Sequence, residues 1–340
     1  MLISLLAVSA VVPSALLVWY FHARDVYPEP PRVLWTTFGL GVFTVLPILF
    51  IGIPLQAAVQ FVGNPVLGSF LSALFVAALP EELVKLVVLI GYNLRHKAFD
   101  EPMDGIVYGV VASLGFATLE NVLFVFEGGL SVAISRAFSA VPLHAFVGAI
   151  MGYYVGQAYF SPQSRSRLIL KGYGIAVLLH TLYDFPLMAM GEVEDGRVAL
   201  MLAILTVMVL VVCWRWTVRL VRRLRRDQLS ASYGEGGAMP GPEAGAAALP
   251  LRQRVLPLFV SVLGGLMASF GGMVTLGLLL AFMLGGVQDE HTVDVLVGGV
   301  LIGLLPFIGG MVVFLKGVRR MNTVSRSADP VPLAPAPEAR

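Results

Sequence analysis

Apolar segments about as long as a bilayer is thick recur along this chain with only short polar stretches between them, and that pattern restricts it to one class of fold. A spanning helix needs about 20 predominantly apolar residues. Backbone N–H and C=O groups in hydrocarbon must be satisfied inside the spanning structure itself. Segments at residues 2–21, 33–57, 67–92, 105–126, 137–160, 169–190, 198–218, 255–285 and 293–315 meet the length requirement. Hydrophobic side chains make up 57% of the 340 residues and charged ones only 13%, outside the range of a soluble domain. Residues 2–21 lack a basic leading region, so they read as a first membrane helix rather than a cleaved signal peptide. The expected fold is all-α, a polytopic transmembrane bundle of about nine helices.

Orientation follows from the basic residues, because Lys and Arg in short loops are retained on the cytoplasmic side. Of the 23 Lys and Arg, all but Lys85, Arg136 and Arg197 fall in the alternate connections 22–32, 93–104, 161–171 and 215–254 or in the tail after 315. The N terminus is therefore expected outside and the C terminus in the cytoplasm. Residues 1–218 form a seven-span core, 219–254 a basic, flexible cytoplasmic linker, 255–315 a C-terminal pair of spans and 316–340 a disordered tail. The run RLVRRLRR at 219–226 suits anionic lipid headgroups. Nucleic acid is not expected, since no aromatic residues are interleaved with that run and no folded reading module surrounds it. The single cysteine, Cys213, excludes an intrachain disulfide and any thiolate cluster.

An ionised side chain at the bilayer centre costs about 2.5–3.5 kcal/mol on insertion scales, so such residues persist when paired and commonly mark function. Here they are few and grouped. ALPEELVKLVVL places Glu81, Glu82 and Lys85 in the third span; Glu120 and Asn121 lie in the fourth, His144 in the fifth, His180 and Asp184 in the sixth. Glu81 and Lys85 are four apart, as are His180 and Asp184, so each pair shares a helix face. At 1.5 Å per residue, Glu120 and His144 sit about 10 Å below the outer surface, and His180 and Asp184 about 15 and 9 Å. A straight helix from residue 67 would put Glu81 about 21 Å deep. Pro80, which starts or breaks helices, argues instead for an interruption just before it. The glycines 148, 152 and 156, spaced by four, read as a close helix contact, and Asp104 as an acid solvated at the membrane edge.

EELVK (Glu81 to Lys85), FATLEN (Phe116 to Asn121), His144 and HTLYD (His180 to Asp184) resemble, in order and on successive spans, the motifs of the PrsW family of intramembrane proteases. That family is similar to the type II CAAX prenyl proteases, the Abi family and the scaffold subunit APH of gamma-secretase. The resemblance covers roughly residues 30–220. It implies an intramembrane endopeptidase in a bacterial cell membrane that cuts single-pass, membrane-anchored proteins, with an anti-sigma factor as the characteristic substrate. Carried over by motif, Glu81, Glu82, Lys85, Glu120, Asn121, His144, His180 and Asp184 become the catalytic candidates. The prenyl proteases have a histidine where this chain has Glu120, which leaves its ligand set open.

Two mechanisms suit these residues. In one, a glutamate, Glu82 first and Glu81 second, acts as general base on water while an imidazole or Asn121 stabilises the oxyanion. In the other, a divalent metal, with Zn²⁺ the best match, is held by His144 and His180 with carboxylates; Glu120 and Asp184 are candidate ligands beside Glu81. HExxH, GxSG and GxGD motifs are absent. The alternatives from other classes are a proton- or ion-coupled transporter, which the buried acids would also serve, and a non-catalytic membrane scaffold.

Overall fold

The computed structural model describes residues 2–160 and 165–233, together with 308–310, 312, 313 and 316. The described residues contain helices and connections but no strand. The α-helices are α1 (Leu2–His22), α2 (Pro31–Phe43), α3 (Val45–Val59), α4 (Pro65–Leu71), α5 (Leu79–Gly91), α6 (Pro102–Phe138), α7 (Ala140–Phe160), α8 (Arg165–Ala189) and α9 (Gly196–Tyr233), with a π-helical turn, Ser72–Ala78, joining α4 to α5. Proline opens α2, α4 and α6, where its missing N–H is one the helix leaves unpaired anyway.

Four helical stretches among the described residues are long and apolar enough to cross a membrane: Pro31–Val59, Pro102–Phe160, Arg165–Glu192 and Gly196–Ser230. The expected spans at 255–285 and 293–315, the distal linker and the tail fall essentially outside the described residues. The exterior carries large apolar side chains, with Phe50 79% and Trp35 72% exposed, while Glu82, Lys85, Asp104 and Asn121 are fully buried. That distribution suits a lipid solvent, in which apolar surface carries no cost.

The expected span at 33–57 corresponds to Pro31–Val59, with a local break at Thr44, whose hydroxyl donates to the Gly41 carbonyl at 2.6 Å. One sequence expectation changes here. Residues 219–233, read as the start of a flexible linker, continue α9 as helix. Val221, Leu224 and Gln228 face inward there while Arg222, Arg223 and Arg226 face outward, a three-to-four spacing that makes one amphipathic face.

The centre of the bundle is the α6–α7 pair, packed between α1, α2 and α8. A Cβ added at Gly152 would lie 1.9 Å from the Gly105 carbonyl oxygen, and one at Gly109 2.3 Å from that of Gly148. The glycine spacing thus lets two backbones touch, as expected. Gly152→Ala should force α6 and α7 apart, costing about 3 kcal/mol; a marked fall in thermal midpoint of the detergent-solubilised protein checks this.

At the end of the bundle where α6 begins, Asp104 caps that helix, accepting from the N–H groups of Asp100 and Glu101 at 2.7 and 2.8 Å. It is not solvated at an edge: it is fully buried. The helix needs an acceptor there because its first N–H groups have no partner within the helix.

Candidate active site

Pro80 has no N–H to give and its ring obstructs the preceding turn, and the chain answers with the π-helical turn before α5. Such turns are frequent beside functional sites. The Tyr173 hydroxyl of α8 donates to the Leu79 carbonyl at 2.9 Å and ties this junction to its neighbour. Helix α5 then carries Glu81 and Glu82 in its first turn after that π-helical stretch.

The Lys85 ammonium stands between three acceptors: Glu82 Oε1 at 2.8 Å, His144 Nδ1 at 3.1 Å and Glu81 Oε2 at 3.2 Å. It also lies 4.2 Å from the centre of the Phe116 ring. An ammonium group has three donors and no acceptor, so His144 Nδ1 accepts and the ring proton sits on Nε2. His144 Nε2 in turn reaches Glu120 Oε2 at 3.0 Å. On α8, His180 Nδ1 meets Glu82 Oε1 at 2.9 Å and its Nε2 meets Asp184 Oδ2 at 3.1 Å. The two imidazoles stand perpendicular, 5.1 Å between centroids. All the candidates except Asn121 thus form one connected polar cluster drawn from α5, α6, α7 and α8.

Asn121 is spent differently from the oxyanion role considered for it. Its Nδ2 donates to the Ala10 carbonyl of α1 at 2.9 Å and its Oδ1 accepts from Arg136 Nε at 2.9 Å. Arg136 is the residue that sequence reasoning missed. Its Nη2 lies 2.7 Å from Glu120 Oε2, and its guanidinium sits 4.1 Å from the Phe124 ring centre. Along a straight helix, 16 residues would separate Arg136 from Glu120 by about 24 Å. The contact exists because α6 is broken at Gly129 (φ 70°, ψ −157°), a conformation only glycine adopts readily. The segment beyond it folds back over the cluster, and Ala133 packs against Leu6 and Ala10 of α1.

Burial separates the two sides of the cluster. The side chains of Glu82 and Lys85 are 1% and 0% exposed, whereas those of Glu120, Asp184 and Arg136 are 15–19% exposed. The latter three form the accessible rim.

Ligand atoms of Glu81, Glu82, His144 and His180 all lie within 4.8 Å of one another. Two imidazoles with two carboxylates are a donor set that divalent transition metals accept. Glu82 Oε2, buried and without a hydrogen-bond partner, leaves one lone-pair site of that set open. The residues therefore fit a metal, with Glu81, already a candidate, and Glu82 as the carboxylates grouped with the two histidines. Glu120 and Asp184 are not in this group; Glu120 pairs with Arg136 and His144, and Asp184 with His180.

Residues 29–214 match a family described as PrsW family intramembrane metalloprotease. This range contains every residue of the cluster. Among curated relatives, the chain is 41% identical to "Protease PrsW" of Geobacillus kaustophilus (strain HTA426) over 182 residues, 53% of this chain and 79% of that one. It is 39% identical to "Protease PrsW" of Bacillus subtilis (strain 168) over 186 residues, 54% and 83% of the two chains. To the protein of that name in Clostridioides difficile (strain 630) it is 32% identical over 208 residues, 59% and 84%. No solved structure matches the chain.

Proposed function

Because the chain belongs to the PrsW family of intramembrane metalloproteases, and so is a membrane-embedded peptidase, we propose that Glu82 is the general base of its peptide hydrolysis. One observation carries this choice. Glu82 Oε1 is fixed by Lys85 and His180, while its Oε2 is buried and accepts nothing. An oriented carboxylate with one free oxygen is the arrangement that taking a proton from water requires.

Glu82 Oε2 takes a proton from a water molecule whose oxygen attacks the scissile carbonyl carbon. The oxyanion that forms develops beside the Lys85 ammonium, in surroundings where a fixed charge acts with little screening. The C–N bond then breaks, and Glu82 returns its proton to the departing amine. His180, held at both nitrogens, keeps Glu82 in place, and Glu120 holds the tautomer of His144. A Zn²⁺ ion bound by His144, His180 and Glu81 would supply Lewis-acid activation of the water. Lys85 contacts two of those donors, Glu81 Oε2 and His144 Nδ1, so it and an ion compete for them.

The substrate is a single-pass, membrane-anchored protein of the anti-sigma-factor kind, approaching from the rim of Glu120, Asp184 and Arg136. The basic ends of the spans face the cytoplasm, with the N terminus outside and the Arg219–Arg226 face of α9 against anionic lipid. Family membership displaces the transporter and scaffold alternatives.

Purified protein in lipid vesicles with such a substrate tests this reading. Wild type should cleave it near the outer membrane boundary, and substrate left intact under all conditions counts against the assignment. Elemental analysis tests the ion: about one zinc per chain is expected, lost when His144 and His180 are both replaced by Ala. Fully active, zinc-free protein would contradict it. Arg136→Gln should lower kcat/KM by about 10–100-fold, the usual effect of losing a group that orients an active-site residue. Arg136→Lys should recover part of that loss by restoring the charge opposite Glu120.

A further inference from the structure

A second group of buried acids lies at the other end of α6, 16 residues or about 24 Å along the helix from Glu120. Asp25 and Glu29 come from the α1–α2 connection, Glu101 from the residue before α6 and Asp104 from its first turn. All four are at least nine-tenths buried, Asp104 completely. Gln228 of α9 bridges two of them, its Nε2 donating to Asp25 Oδ1 at 2.6 Å and to Glu101 Oε1, and the Tyr108 hydroxyl donates to Glu29 Oε2.

Those contacts leave the set incomplete. Asp25 Oδ2, Asp104 Oδ1 and Glu101 Oε2 are each buried and receive no N–H or O–H from the surrounding residues; Asp25 lies against Glu101 and Asp104 against Glu29, so acid faces acid. Leaving a buried acceptor unsatisfied is costly. One ligand oxygen from each of Asp25, Glu29 and Asp104 lies within 4.8 Å of the others. Three such oxygens lie at most about 2.8 Å from a common centre, so a shift of a few tenths of an ångström brings all three to the roughly 2.3–2.6 Å of Ca–O bonds.

We propose that Asp25, Glu29 and Asp104 form a second cation site, distinct from the catalytic cluster and selective for a hard divalent ion, Ca²⁺ in particular. The donors are all oxygen, which disfavours zinc relative to the imidazole-containing site. An enclosed cage built from protein oxygens suits Ca²⁺ better than Mg²⁺, which keeps several of its waters. An ion here joins the α1–α2 connection to the start of α6 and, through Gln228, to the end of α9. It is a structural clamp at the end of the bundle remote from the chemistry.

The test is thermal unfolding of the full-length protein in detergent at fixed pH, with EGTA, with 1 mM Ca²⁺ and with 1 mM Mg²⁺. The expected result is a saturable rise of about 3 °C or more with Ca²⁺ and a smaller one with Mg²⁺. Asp104→Asn also weakens a helix cap, so the diagnostic variants are Glu29→Gln and Asp25→Asn, both of which should abolish the rise. His180→Ala should keep it, since that histidine belongs to the other cluster. No Ca²⁺ response in the wild type, or an undiminished response in Glu29→Gln and Asp25→Asn, would overturn the proposal. So would a Glu29→Gln protein that is stabilised in EGTA beside a wild type indifferent to Ca²⁺, since the acids would then share protons instead.

Discussion

Glu82→Gln is expected to lower the rate of substrate cleavage by about 10³-fold while leaving the protein folded. The amide oxygen can still accept from Lys85 and His180 in place of Oε1, so packing around α5 has little reason to change. What disappears is the free carboxylate oxygen, and loss of a positioned general base costs about 10²–10⁴ in rate. Single-turnover cleavage in vesicles, with thermal unfolding as the folding control, measures both halves of this expectation. A loss concentrated in KM would mean that Glu82 binds substrate rather than moving a proton. Glu81→Gln should cost less, because Glu81 touches the cluster through Lys85 and lies 4.0 Å from His180.

Lys85→Met has the other large expected effect, this time on stability. The ammonium is wholly buried and lies between two glutamates whose side chains are at most 8% exposed. Removing one partner of a buried ionic group strands the remaining charges, which typically costs about 3–5 kcal/mol. The variant should therefore unfold at a clearly lower temperature. Adding Glu81→Gln to Lys85→Met should restore part of the loss, because one stranded carboxylate has been removed. A Lys85→Met protein as stable as wild type would show that another cation compensates these carboxylates, and metal analysis of the same sample would identify it.

How much of the site was legible in the sequence depends on how far apart its partners lie along the chain. Glu81 with Lys85, and His180 with Asp184, are visible from a spacing of four on a helix, and both contacts form. That Glu82 meets His180, 98 residues away, and that His144 bridges Lys85 and Glu120, depends on how the helices pack, which spacing alone does not encode. The matching depths of Glu120, His144, His180 and Asp184 pointed to a shared layer. The position of Glu81 required the π-helical turn, for which Pro80 was the only visible signal.

Arg136 escaped because a lone basic residue in a short loop reads as solvated. The available clue was Gly128–Gly129 breaking an apolar run shortly before it, since a glycine that reverses a helix can return the next polar residue to the site. Asp104 was misjudged for the opposite reason: its position at a helix start suggested water. The chain instead covers that end with the α1–α2 connection and the last turns of α9, elements 75 or more residues away from it. The all-helical architecture was the most legible feature, because hydropathy alone enforces it in a bilayer.

The most direct test of the central claim, that the cluster around Glu82 hydrolyses peptide bonds in membrane-anchored proteins, is mass spectrometry of new protein N termini in membrane fractions. Cells producing the wild type are compared with cells producing an equal amount of Glu82→Gln. The account predicts new termini near the outer boundary of single-pass anchors in the wild type and none of them with the variant. The same termini in both, at equal abundance, would contradict it.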